Sequence, residues 1–168
     1  MQPTLGDREV TVDYFGRGEL LGLHAGELAD DEAIAHEDCT LLTVSRSDFD
    51  AWLAEHPSAS RAIVRTLARA CRRTRERLAL VTMNGAKARL AALLLDLADR
   101  FGVRDSRGVI VDLRLTHREM ASLIGATRET VSVAIVELRS EEIVRTEHRR
   151  VILLDEPKLR SLAGLDGA

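Results

Sequence analysis

Residues 116–139 read Thr-His-Arg-Glu-Met-Ala-Ser-Leu-Ile-Gly-Ala-Thr-Arg-Glu-Thr-Val-Ser-Val-Ala-Ile-Val-Glu-Leu-Arg, and few arrangements satisfy that run. Thr116 followed three residues later by Glu119 is a capping box, which predicts that a helix starts there. Met120, Ala121 and Ile124 form its apolar side, and Ala121 is small enough to let a second helix cross closely. Gly125 stands where the chain must turn sharply, and glycine accepts the left-handed backbone such a turn needs. Thr127 caps a second helix, with Thr130 three positions on. Val131, Ala134, Ile135 and Leu138 then follow at i, i+3, i+4 and i+7, one buried stripe. A small residue four before the glycine and a valine six after it is helix-turn-helix spacing.

The first turn of that second helix offers Arg128, Glu129 and Ser132, the side chains such a helix presents to base edges in the major groove. Arginine bonds guanine O6 and N7, and a carboxylate accepts from cytosine N4. The bland alternative is a helical hairpin with solvated charges. Capping, glycine turn, buried stripe and polar tip agree on DNA recognition instead. Beyond it, Glu142-Ile-Val-Arg-Thr and Val151-Ile-Leu-Leu flank Glu147-His-Arg-Arg150, a β-hairpin wing with a basic tip. His148, Arg149 and Arg150 there either meet phosphates, which position without reading sequence, or are merely solvated.

The rest of the chain supports this end. From about Ser58 to Met83 nothing breaks a helix, and Ile63, Leu67, Ala70, Leu78 and Val81 recur at mostly three- and four-residue steps. At ~1.5 Å per residue this makes a rod of roughly 39 Å, and so long a helix with one apolar stripe commonly packs on a copy of itself. The alternative is packing within its own chain. Asn84-Gly85 breaks the helix, which resumes over Ala86 to Phe101. Gly102 to Gly108 reads as loop and Val109 to Leu115 as one or two short strands. Towards the front, residues 8–14 and Cys39 to Ser45 read as strands, with turns at Gly16 to Gly18 and an acidic stretch between. A short helix follows near Ser47, and Pro57 suits the start of the next.

Composition narrows the function. Of 168 residues, 45% are hydrophobic but only 3% aromatic, which favours helices packed through Leu, Ala, Val and Ile over a base- or sugar-stacking surface. The net charge of −3 hides a gradient: residues 1–56 hold three arginines against thirteen carboxylates, 57–82 seven against one, and 83–168 are nearly balanced. No apolar run approaches the ~20 residues of a membrane span, and Met1 opens no signal peptide. A cytoplasmic protein without membrane partner is expected. Cys39 and Cys71 are too few for a disulfide scaffold, zinc ribbon or iron–sulfur cluster, and Cys71 reads as a core residue on the helix stripe. No phosphate loop, no metal-spaced His/Glu set and no activated nucleophile is present, so no enzyme activity is expected.

Taken together, Leu115-Thr-His-Arg-Glu-Met-Ala and Gly-Ala-Thr-Arg-Glu-Thr-Val-Ser resemble the recognition motif of the Crp/Fnr family of bacterial transcription regulators. Gly18-Glu-Leu-Leu-Gly22 is similar to the end of that family's effector barrel. The resemblance implies an α+β chain with a partial N-terminal β-barrel (a jelly-roll remnant) over 1–56, a dimerisation helix over 57–83 and a winged helix-turn-helix domain over 84–168. It also implies a homodimer on a palindromic double-stranded DNA promoter site, with RNA polymerase as partner. Arg128 and Glu129 match the base-reading pair, and Ser132 the serine of the Fnr-like branch. Thr116, His117, Thr127 and Thr130 match phosphate-holding positions. Val133 stands where many members have a third base-reading arginine, and it has a thymine methyl to touch or nothing at all.

Two departures bear on sensing. The cyclic-nucleotide signature is replaced by Leu21-Gly22-Leu23 and the acidic loop Ala29 to Ile34, which would repel a phosphate. Independence of cyclic AMP is therefore expected, with no cofactor and no metal; His24, His36 and Cys39 read as structural or solvated. Members of the family also carry some sixty more residues ahead of the point matching Arg8. Val10, Val12 and Leu42 are thus expected to face a gap, with the first 50 residues poorly ordered or paired across a dimer or swap. The remaining alternatives are a winged helix used for protein docking and a regulator switched by cysteine oxidation.

Overall fold

The structure, a computed structural model, describes residues 2–5, 8–9, 11, 13–22, 31–82 and 85–165. It divides into two compact units, Ile34–Ala79 and a larger one comprising Met1–Ala33 with Leu80–Ala168.

In the larger unit, apolar periodicity sets the helices. α3 (Ala86–Phe101) buries Leu90 to Leu95 and Leu97, because nearly every residue in its middle turns is Leu or Ala. α4 (His117–Ile124) buries Met120, Ala121 and Ile124, and α5 (Arg128–Ser140) buries Val131, Ala134, Ile135 and Leu138. These are the two stripes expected from spacing. α6 (Glu156–Leu162) is capped by the Asp155 carboxylate, which accepts from the Lys158 N–H, and it seats the fully buried Leu159.

Four strands close the other side of this core: β4 (Gly102–Asp105), β5 (Gly108–Val111), β6 (Val144–Glu147) and β7 (Arg150–Leu153). They form an antiparallel sheet in the order β4-β5-β7-β6. β5 sits inside it, with Val109 opposite Leu153 and Ile110 opposite Ile152. Residues 102–108 are thus a hairpin arm rather than the expected loop. Gly102, Asp105 and Gly108 suggest a loop by composition, but β4 pairs with β5 along its whole length. Gly108 is required there: its φ is +136° and a Cβ would stand 2.1 Å from the Leu153 carbonyl oxygen.

The front of the chain departs most from expectation. β1 (Gln2–Leu5) pairs with β2 (Arg8–Glu9) and with β3 (Asp31–Glu32) in a small sheet. The strand read over 8–14 does not extend through its second half, since residues 13–16 join no strand and pack instead against the end of α3. Arg100 explains why. Its guanidinium lies 2.8 Å from Asp13 and 3.2 Å from Glu19, donates to the Tyr14 carbonyl and covers the Phe101 ring. Val10, Val12, His24 and the loop from Ala29 to Asp30 lie outside the described residues.

In the smaller unit, residues 39–45 are exposed and form no strand, and Leu42 is 93% exposed. β-branched residues favour a strand only where another strand offers its backbone, and no described residue pairs with this segment. α1 (Arg46–Glu55) is capped by Ser45, whose Oγ accepts from the Asp48 N–H at 3.1 Å. α2 (Pro57–Thr82) begins at the expected proline and runs unbroken for 26 residues. Of its expected seam, Ile63 and Ala70 are half-buried while Leu67 and Leu78 are exposed; the side chain of Val81 lies outside the described set. Cys71 is exposed rather than core, as is Cys39. The stripe has no covering element among the described residues that would bury Cys71.

Candidate nucleic-acid interface

Helix α4 begins with both halves of a capping box: the Thr116 hydroxyl accepts from the Glu119 N–H, and the Glu119 carboxylate accepts from the Thr116 N–H at 2.7 Å. It ends at Gly125, φ 61° and ψ 46°, where the Ala126 N–H reaches back to the Ala121 carbonyl at 2.9 Å. That 6→1 bond is the mark of a Schellman turn. One residue later Thr127 caps α5, accepting from the Thr130 N–H at 3.2 Å. Two helices are thereby held with three residues between them, so the α4–α5 angle is set by hydrogen bonds as well as packing.

Arg128 and Glu129 are exposed at the start of α5. Ser132 is only partly so. Its hydroxyl lies 2.9 Å from the Arg128 carbonyl and 2.7 Å from His117 Nδ1. A carbonyl oxygen only accepts, so the single hydroxyl hydrogen goes there and Nδ1 donates to the serine oxygen. His117 and Ser132 therefore tie the first turn of α4 to the start of the second turn of α5. The hydroxyls of Thr127 and Thr130 are 2.9 Å apart, and the Thr116 hydroxyl lies 2.7 Å from Glu119. Val133 is 59% exposed.

β6 and β7 join through His148 and Arg149, both with positive φ, 48° and 64°. Such a two-residue turn matches the twist of the flanking strands. His148 and Arg149 project from it, exposed. Arg150 is less free, its guanidinium being 2.8 Å from Asp112. Glu147 is paired with Arg107 at 2.8 Å. At the turn itself the outward positive charge thus rests on Arg149, with Arg145 of β6 also exposed.

Several contacts have no signature in local sequence. Tyr14 packs against the core and its phenol bonds the Glu119 carboxylate, while the Thr11 N–H donates to Ser122 of α4 at 3.2 Å. Partners more than a hundred residues apart follow no spacing rule. Val136, 62% exposed, was detectable: it lies three residues after Val133 on the same face of α5. Among the described residues no group of three or more His, Cys, Asp or Glu is placed to hold a metal ion, and no helix is long and apolar enough to cross a membrane.

A family model described as the Crp-like helix-turn-helix domain matches residues 88–162. The chain is 35% identical over 118 residues to the CRP-like cAMP-activated global transcriptional regulator of Mycobacterium tuberculosis, covering 70% of this chain and 53% of that protein. It is 35% identical over 161 residues to the cyclic AMP receptor protein of Thermus thermophilus, covering 90% of this chain and 71% of that one. Among solved structures, a CRP-family transcriptional regulator from Thermus thermophilus aligns with a TM-score of 0.57 at 36% identity, covering 67% of this chain and 58% of that one. A mutant of CooA from Carboxydothermus hydrogenoformans aligns at 0.63 with 27% identity, over 70% of this chain and 54% of that one. The chain spans about half the length of the mycobacterial relative, 53%.

Proposed function

The chain belongs to the Crp/Fnr family of transcription regulators, and on that premise we propose that it binds a palindromic DNA site as a homodimer and regulates transcription there. The observation that carries this reading is the helix-turn-helix itself, capped at both helix starts, closed by a left-handed glycine, and presenting Arg128 and Glu129 to solvent at the tip of α5.

In this reading Arg128 bonds a guanine edge and Glu129 accepts from cytosine N4. Ser132 is held by His117, so its part is to fix the pose of α5 beside the bases. The threonines at 116, 127 and 130, His117 and the wing residues His148, Arg149 and Arg150 lie toward the phosphates, Arg149 contributing most because its charge is unpaired by any neighbour the structure records. α2 pairs with its copy through Ile63, Leu67, Ala70, Leu78 and Val81, bringing two recognition helices to one duplex turn, ~34 Å. RNA polymerase is the expected protein partner, the site of action is the cytoplasm, and no catalysis is involved. Leu21-Gly22-Leu23 and the carboxylates of Asp30 to Glu32 support binding without cyclic AMP, although the mycobacterial and Thermus relatives are cyclic-AMP proteins by their descriptions.

Selection from random duplexes, followed by titration at two salt concentrations with and without cyclic AMP, tests the proposal. The expected result is a palindromic consensus, affinity falling steeply with salt as phosphate contacts require, and no dependence on the nucleotide. Arg128→Ala should cost about 1–3 kcal/mol and relax the preference at one base position. A salt-insensitive protein with no enriched sequence would refute DNA recognition and favour a protein-docking role for the winged helix.

A further inference from the structure

The face of α5 turned away from the core carries Glu129, Val133, Val136 and Ser140, spaced by four, three and four residues, all of them exposed. Val131, Ala134, Ile135 and Leu138 occupy the opposite side. With Glu137 held 3.4 Å from Lys87 on one flank, the face between Glu129 and Ser140 carries no hydrogen-bonding side chain of its own. Ser132 flanks it but donates to the Arg128 carbonyl, and Ser140 donates back to the Glu137 carbonyl at 2.8 Å. Two valines, 59% and 62% exposed, stand between.

Resting on the DNA-binding reading, we infer that Val133 and Val136 are specificity-determining residues that select thymines through their 5-methyl groups. In the major groove every base edge presents donors or acceptors, and the apolar substituent there is the thymine methyl. A valine set against an amino or carbonyl edge would strip water from it and return no bond. Set against a methyl, it removes apolar surface from water on both sides. The spacing suits this: three residues advance the helix by about 4.5 Å, near the ~3.4 Å step between base pairs. Neighbouring pairs are therefore within reach of the two side chains. Each half-site reads as a cytosine contacted by Glu129 followed by thymines contacted by the second and third turns.

The test replaces each thymine of the selected consensus with deoxyuridine, which removes the methyl and leaves every hydrogen-bonding group in place. Affinity of the full chain should fall about threefold to fourfold for each contacted methyl, the effect of losing one buried carbon. In Val133→Ala and Val136→Ala the same replacement should cost less than twofold at the matching position, while the salt dependence stays as in the parent. Salt-dependent binding to the palindrome with no uracil effect, or an equal uracil effect in parent and variants, overturns the valine assignment alone. Failure to bind any selected duplex overturns that assignment together with the DNA-binding reading.

Discussion

Glu119 serves three hydrogen bonds at once, accepting from the Thr116 N–H and hydroxyl and from the Tyr14 phenol. The phenol is half-buried, and burial first, then the charge and hydrogen bond of Glu119, push its pKa well above the usual tyrosine value. A free tyrosine ionises near pH ~10, but in the native state the proton is held to higher pH, so above ~10 the unfolded chain binds fewer protons and stability falls. Below that pH the contribution is complete. Urea unfolding from pH 8 to 11 should show the midpoint dropping faster for the parent than for Tyr14→Phe; parallel profiles would contradict the Tyr14–Glu119 bond. At neutral pH the same variant should lose about 1 kcal/mol, the usual worth of one hydrogen bond. Arg128 and Glu129, exposed at the tip of α5, were legible in the sequence because a helix N-terminus exposes the residues next to its cap. The inward turn of Ser132 was not, since it depends on where His117 lies across the helix pair.

Between α4 and α5 the chain reverses through Gly125, whose left-handed backbone has open space around it: a Cβ there would meet nothing within 4 Å. Substitution thus acts through backbone strain without a clash. Gly125→Ala should destabilise the chain by about 1–2 kcal/mol, read as a lower thermal midpoint, with Gly125→Asn costing less because asparagine tolerates this region better. Equal losses for both would point to packing instead. Elements whose signals are local form where their own residues direct. Thr116, Thr127, Gly125 and the apolar stripes of α4 and α5 each act within one or two helical turns. Strands fared worse. Residues 102–105 look like loop but pair with β5, whereas 39–45 look like strand but pair with nothing described. A strand is completed by another segment's backbone, which the segment's own residues do not encode.

At the scale of the molecule, α2 extends for 26 residues with Val64, Leu67 and Leu78 each about half or more exposed. A second copy is the occupant proposed for that stripe. Leu67→Glu places a charge in the proposed seam, and sedimentation should then show a monomer whose affinity for a two-fold site falls at least tenfold; an unchanged dimer would exclude this seam. The larger unit gathers residues from both ends of the chain: Asp13, Tyr14 and Glu19 close on Arg100, and Thr11 on Ser122. Nothing within the first fifty residues announces that docking, which joins the front of the chain to its C-terminal half in one compact unit. Periodicity, capping and turn chemistry decided by themselves where α2 to α5 run, which side of α4 and of α5 is buried and which side chains stand at the tip of α5, because those are short-range choices of a few residues. Which strands pair, which hydroxyls turn inward and which part of the front closes on Arg100 were decided only in the folded chain, where groups distant in sequence compete for the same carboxylates, carbonyls and apolar surface.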